Sequence, residues 1–578
     1  MITYFCKYTP VELIEAFGEQ IRMPNREVSD SLEADALIHS SVCTHAKCLL
    51  MDVNEWNREH PGSRCAAVLT NCCDGVRRVN GCLPDSAFSF RKVLDLPHTT
   101  SPAAIRRFTG QLQSMAQALS ARTGREFCAE KLIGLWKMTA DAWENQRKNS
   151  QKRIVVLGAR VSDELLEKIR REMPFPAVDL TCGGLRPLPS PPDSLAKKTD
   201  EEILTAYAKA LLTQMPCPRM EDTGKRRELL ESDGIQGIVY HTVKFCDYFS
   251  FEYADLQKET ALPVVKIESD YTSQASGQLS TRLAALAESM QSHGGSSRKD
   301  EEDMRGKKEQ ILTETEQKGG ADIYVGLDSG STTTNAVAID RDGRLLASVI
   351  LRTGAKAADA ADRALKELKE QLGPSGGSFS FIVATGYGRE FIHSADKSLT
   401  EITCHAKGAH FCSPEARTII DIGGQDSKVI TLDESGEVSG FVMNDKCAAG
   451  TGRFLEMMAG TLELSMDEMS HLGLKWKKDL TITSTCTVFA ESEVVSLIAS
   501  NAQTSDIIHA LNKSVASRTA SMVRRVRGTA PYMMTGGVAR NAGVVQEIEK
   551  LLGAKLIIPE DPDLTGALGA ALYAREGM

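Results

Sequence analysis

DIYVGLDSGSTTTNAVAID, residues 322–340, reads as an apolar strand ending in Asp328, a turn through Gly330, and a second strand. IIDIGGQDSKVI, residues 419–430, repeats the skeleton: a strand ending in Asp421, a turn through Gly423 and Gly424, and a new strand. Glycines in such turns let backbone N–H groups approach a phosphate, and the hydroxyls of Ser331, Thr332 and Thr333 add donors. An aspartate at each strand end suits a hydrated Mg²⁺ held between the two loops. A third turn, MMTGGVARN at 533–541, carries Gly536 and Gly537 ahead of a helix and fits around a nucleoside. Any one of these turns is an ordinary hairpin. Three in order, two sharing an Asp-x-Gly skeleton, point to ATP. Asp328 and Asp421 are the candidate catalytic acids, and Gln425, just past the second turn, is placed to orient an attacking water.

Further strands (FIVATG, PYMMTGG) and helices (AADAADRALKELKEQLG, NAGVVQEIEKLLG) surround these loops, so residues 321–578 form one α/β domain. Upstream, the text between 293 and 320 turns to Gly/Ser pairs and mixed charge, the composition of a flexible linker. Before it, strands such as CAAVLTN, KRIVVLGARV, GIQGIVYHTV and ALPVVKIESD alternate with amphipathic helices. That alternation implies parallel α/β layers in two lobes, 1–150 and 151–292.

The chain has 578 residues, with Lys+Arg 68 against Asp+Glu 77, a net charge of −9. An acidic balance gives no electrostatic footprint for nucleic acid. No run of about 18 apolar residues is present to span a bilayer, and the N-terminus lacks a signal-peptide pattern. A cytoplasmic protein is expected, and its fifteen cysteines are then reduced thiols. Eleven lie at or before Cys246 and four between Cys404 and Cys486. Soft thiolates gathered this way suggest iron–sulfur clusters; the alternative is that many are small core residues. Cys447 and Cys486 each stand before an amphipathic helix, whose N-terminus favours a thiolate. Cys43 lies in SSVCTHAKC, Cys73 follows one buried strand and Cys246 another. Strand ends of parallel lobes converge on one crevice, where distant cysteines can meet.

The strings VGLDSGSTTT, ATGYGRE, EITCHAKGA, DIGGQDSKVI, MNDKCAAGTGRFLE, STCTVFAESEV, MTGGVARN and GALGAALYA resemble the ATPase that activates (R)-2-hydroxyacyl-CoA dehydratases and its benzoyl-CoA reductase relatives. The resemblance implies an actin/hexokinase-like (ribonuclease-H-like, duplicated) ATPase domain. It also implies a homodimer with one 4Fe-4S cluster bridging two subunits at Cys447 and Cys486, fed by a ferredoxin or flavodoxin. Cys404 and His405, in EITCHAKGA, read as packing beside the nucleotide, and Cys412 has no role. The first module is similar to the dehydratase component that receives those electrons, on YTPVELIEAFG, VLDLPHTT, DLTCGGLR and LPVVKIESDY. That likeness implies a second cluster on Cys43, Cys73 and Cys246, and leaves open a separate partner subunit. Cys48, Cys65, Cys72, Cys82 and Cys182 leave its nuclearity open between one 4Fe-4S unit and a double cubane. The reading is ATP-dependent low-potential electron transfer in oxygen-sensitive, anaerobic metabolism. The alternatives are a double-cubane reductase of small molecules and a metabolite kinase with inert cysteines.

Overall fold

The computed structural model describes residues 1–577 except 26, 28–31, 40–41, 72, 149–150, 222–227, 231–233, 261, 272–275, 294–321, 355, 374–377, 445–447 and 483–486. The chain divides into two compact units, Met1–Ala287 and Glu288–Met578. The expected linker, after the helix Ser276–His293, lies outside the described residues.

The first unit holds two sheets. Strands β1 (Ile2–Tyr4), β2 (Ile21–Arg22), β3 (Cys65–Thr70) and β4 (Phe88–Leu94) form one in the order β2-β1-β3-β4. Strands β5 (Arg153–Gly158), β6 (Ala177–Asp179), β7 (Ile235–Val243) and β8 (Val264–Ser269) form the other in the order β6-β5-β7-β8. Every pairing in both is parallel, as the strand–helix alternation implies. β3 and β5 are buried along their whole length. Phe108, Leu112 and Leu119 of the helix Pro102–Thr123 pack with Trp136 and Tyr207 into the first core. Within it Glu12 is held by Arg186 and Tyr207, a buried ion pair with its remaining oxygens satisfied. Ser101 caps the long helix and Gly124 ends it at φ 67°.

The second unit contains the same sheet twice. Strands β9 (Tyr324–Ser329), β10 (Thr333–Ile339), β11 (Leu345–Arg352), β12 (Phe381–Thr385) and β13 (Lys397–Ser398) lie in the order β11-β10-β9-β12-β13. Strands β14 (Thr418–Ile422), β15 (Ser427–Leu432), β16 (Val438–Asn444), β17 (Tyr532–Thr535) and β18 (Leu556–Ile557) lie in the order β16-β15-β14-β17-β18. In both, the first three strands are antiparallel neighbours and the last two are parallel additions. The helices Glu401–Cys412 and Thr565–Glu576 cross at glycine. A Cβ on Gly569 would stand 1.8 Å from the Cys404 carbonyl oxygen, and one on Gly408 would stand 2.1 Å from that of Thr565.

Candidate functional site

The three glycine turns of the second unit face one another. Asp328 and Asp421 are the penultimate residues of β9 and β14, both nearly buried at 9% and 3% exposure. The turns nearly touch: a Cβ on Gly424 would lie 2.1 Å from the Thr332 hydroxyl. Gly330 N–H closes the first turn on the Thr333 carbonyl at 2.9 Å. Gly536, at φ 82°, brings the third turn so close that a Cβ would lie 2.9 Å from Asp421 Oδ1. Ser331 and Gln425 are exposed on the first two turns, and Gly537 opens the third.

Between the acids stands His405, which the sequence reading assigns to packing. Its Nε2 is 3.7 Å from Asp328 Oδ2 and its Nδ1 is 3.7 Å from Asp421 Oδ1. Lys428 Nζ pairs with Asp421 at 3.1 Å and with Asp426 at 2.7 Å, and Thr535 Oγ1 donates to Asp421 at 2.9 Å. The two carboxyls consequently diverge. Burial pushes Asp328 up to about 6, opposed only in part by His405 and Lys428. Burial acts on Asp421 as well, but His405, Lys428 and Thr535 outweigh it and hold Asp421 down to about 2. The donors are hard oxygens, and Asp328 lacks a strong cation of its own, so the set fits Mg²⁺. His405 and Lys428 could be found in the sequence only as members of a helix and a strand; their convergence is tertiary.

The second turn also reaches a helix. Gly452 and Arg453, the first two residues of Gly452–Thr461, donate their N–H groups to the Gly423 and Gly424 carbonyls at 2.9 and 2.7 Å. This corrects the sequence reading of Cys447: the helix starts at Gly452, so Cys447 does not stand directly before it. The helix's first donors are engaged by the second glycine turn. Cys447 and Cys486 themselves lie outside the described residues; the helix Thr487–Ala499 begins directly after the latter.

The first unit brings Cys43, Cys73 and Cys246 into one cavity of about 70 Å³, set against roughly 10–15 Å³ for a single water. All three are N-cap residues, of the helices Thr44–Glu59, Asp74–Cys82 and Asp247–Glu259. Phe245, at φ 65°, is held in the left-handed region to turn Cys246 off the end of β7. The Cys246 thiol donates to Cys43, which with the backbone of Ala46 and His45 lowers the Cys43 pKa despite burial. The same bond and burial push Cys246 up, and burial raises Cys73.

Cys6, Cys182 and Cys217 line the same cavity. Cys6 follows β1 as Cys73 follows β3, so the strand-end rule that selected Cys73 also reaches Cys6. Cys217 follows a helix, and no sequence rule selects it. Cys48 lines a separate cavity, Cys65 sits inside β3 with its thiol toward Thr3, and Cys82 donates to the Leu37 carbonyl. Cys72 lies outside the described residues. In the second unit Cys404 is buried and Cys412 exposed.

Among the described residues no three His, Cys, Asp or Glu side chains converge tightly enough for a single metal ion. An iron–sulfur cubane takes one thiolate per iron, so its ligands spread around a cavity instead. Six thiols around a space lined by Lys7, Arg160 and Arg219 and, among the described residues, by no carboxylate fit such an anionic cluster.

Two copies of one sheet with acid-ended phosphate turns facing each other define the actin/hexokinase class of ATPases. Residues 325–574 match the BadF/BadG/BcrA/BcrD ATPase family. Residues 6–142 and 135–290 match the 2-hydroxyglutaryl-CoA dehydratase D-component. The second half is 44% identical over 250 residues to the 2-hydroxyisocaproyl-CoA dehydratase activator of Clostridioides difficile, covering 43% of this chain and 94% of the relative. It is 47% identical over 253 residues to the activator of lactoyl-CoA dehydratase of Anaerotignum propionicum, covering 44% and 97%. A solved structure of the Clostridium difficile activator with bound ADPNP is 44% identical, covers 44% of this chain and 95% of its own, and has a TM-score of 0.43. The chain belongs to the BadF/BadG/BcrA/BcrD ATPase family, and its first half matches the dehydratase D-component model.

Proposed function

We propose that the chain is an ATP-dependent, low-potential electron-transfer protein in which an activator-type ATPase half serves an iron–sulfur acceptor module in the same polypeptide. The observation that carries this is the first unit's cavity, where three helix-capping cysteines meet three more with no carboxylate among the described lining residues. Bound clusters would supply storage and transfer of single electrons. In this reading Asp328 and Asp421 hold Mg²⁺ and the phosphates, with Gly330, Ser331, Thr332, Thr333, Gly423, Gly424, Gly536 and Gly537 around the nucleotide and Gln425 orienting water. Closing the second turn on ATP moves the Gly423 and Gly424 carbonyls, and the helix Gly452–Thr461 follows because its first N–H groups rest on them. Cys447 and Cys486 of two chains hold the bridging 4Fe-4S cluster of a homodimer. A ferredoxin or flavodoxin is the donor, in the cytoplasm, and the acceptor works alone or with a dehydratase subunit.

A second reading is favoured by Cys6, Cys182 and Cys217: six thiolates suit a double cubane, and the module then reduces small molecules itself. A kinase leaves the cavity without purpose. Iron and sulfide per chain, measured on anaerobically purified full-length protein, test the proposal. Cys43→Ala, Cys73→Ala or Cys246→Ala should each lower iron by at least one cluster's share, and Cys447→Ala or Cys486→Ala should also loosen the dimer. Losses at Cys6→Ala, Cys182→Ala and Cys217→Ala as well select the double cubane. A colourless, iron-free wild-type protein sinks both redox readings.

A further inference from the structure

Two arginines face the cysteine cavity without a counter-ion. Arg160 follows β5 and is 4% exposed. Its Nε donates to Asn25 Oδ1 at 2.6 Å, while its Nη1 is buried with no hydrogen-bond partner. The position is built: Tyr271 Oη donates to the Arg160 carbonyl at 2.8 Å, from a backbone at φ 58°. A Cβ on Gly183 would lie 2.8 Å from Arg160 Cγ, so glycine there lets the side chain pass. Asp179 is near enough to feel Arg160, but no ion pair joins the two, and Asp179 Oδ1 accepts from the Thr181 backbone instead. Arg219 lies with its guanidinium 4.1 Å from the Tyr248 ring centre. Its Nη1 donates to Cys217 Sγ at 3.6 Å, and its Nε has no partner.

A buried guanidinium without an anion costs several kcal/mol; Arg160 is one, and the half-buried Arg219 adds a second cation beside it. Such a lining is stable only around an occupant that carries negative charge. We propose that Arg160 and Arg219 are the anion-holding face of the cavity and set the reduction potential of the cluster within it. Reduction adds one electron to an already anionic centre, so nearby fixed positive charge favours the reduced form. Arg219 acts at Cys217 Sγ and Arg160 at a second point of the cavity, so their effects should add. The inference rests on the redox reading above.

The test uses the full-length chain with Cys447 and Cys486 both changed to serine, so that only the first unit's cluster remains. Iron content and the midpoint potential, from titration followed by electron paramagnetic resonance, are compared for Arg160→Gln, Arg219→Gln and the two Lys variants. Arg107→Gln, at an exposed surface pair with Asp95, is the control. Each Gln variant should lower the reduced-to-oxidised ratio at fixed potential at least tenfold, which is 59 mV for one electron. The Lys variants should stay near wild type. Loss of iron in the Gln variants with retention in the Lys variants supports the same conclusion, since charge then holds the cluster. Normal iron with an unshifted potential in both Gln variants overturns it. So does loss of iron in Gln and Lys variants alike, which would assign the arginines to packing. If the parent chain holds no iron, the redox reading itself has failed.

Discussion

Asp328 and Asp421 share one imidazole yet sit at opposite ends of the carboxylate range, and that contrast has a measurable consequence. Asp328, raised to about 6, keeps its proton in the folded chain where an unfolded carboxyl near 3.8 has lost it. Its contribution to stability therefore falls as pH rises from about 4 to 6, by roughly 3 kcal/mol in total. Asp421, held down to about 2, works the other way: its contribution is present above about pH 4 and is lost as pH falls through 2. Without nucleotide or Mg²⁺, the thermal transition of the ATPase half should lose stability between pH 4 and pH 6. Asp328→Asn should flatten that slope, and Mg·ATP should offset it in the wild type. An unchanged slope in Asp328→Asn would remove Asp328 as its source. The two acids were readable because a strand, an aspartate and a glycine are adjacent in sequence. His405 was not, since a histidine inside a helix looks the same whether it packs or bridges two carboxylates 77 and 16 positions away. Arg160 escaped for a similar reason: its meaning lies in a counter-ion that is missing from the folded cavity.

At the level of elements, the helices Glu401–Cys412 and Thr565–Glu576 matter because the first carries His405 and the second covers Asp328. A Cβ on Gly566 would lie 2.3 Å from Asp328 Oδ2. Gly408→Ala and Gly569→Ala each drive a methyl into backbone that cannot rotate away, and each should cost about 3 kcal/mol, visible in denaturant unfolding. A loss below 0.5 kcal/mol would mean that the crossing is looser than the contacts indicate. Glycine spacing in GALGAALYA shows a close approach in sequence but not what approaches. The helix Gly452–Thr461 raises a different question. Gly452 is its first residue, and a Cβ there would lie 3.0 Å from the Gly423 carbonyl, so Gly452→Ala should push that carbonyl off the helix start while favouring the helix itself. ATP hydrolysis should stay within about threefold while ATP-driven electron transfer falls at least tenfold, or about 1.4 kcal/mol. A parallel fall in both rates would locate the bond in ATP binding, not in coupling. The sequence placed a helix after Cys447 but set its start too early: the glycines of AAGTG weaken a helix there, and the Gly423 and Gly424 carbonyls that receive its first N–H groups are set by tertiary structure.

For the whole molecule, much of the architecture was open to reading because each half repeats a simple rule: strands alternate with helices, and the ATPase half does so twice. Strand ends then told which cysteines could meet in one cavity, which is why the sequence singles out Cys73 and Cys246 and Cys6 was within reach. Cys217 depended on the path of a loop, and the choice among the remaining cysteines depended on which face of β3 or of a helix each occupies. The central claim is that ATP hydrolysis in one half gates reduction of a cluster in the other. It is tested most directly on the full-length, anaerobic, cluster-loaded chain with a strong external reductant, by following reduction of the first unit's cluster by electron paramagnetic resonance. With ATP and Mg²⁺ the cluster should reduce; with a non-hydrolysable analogue, or with ATP in Asp421→Asn, reduction should fall at least tenfold. Equal reduction with ATP and with the analogue would contradict the account, even with every cysteine ligand confirmed.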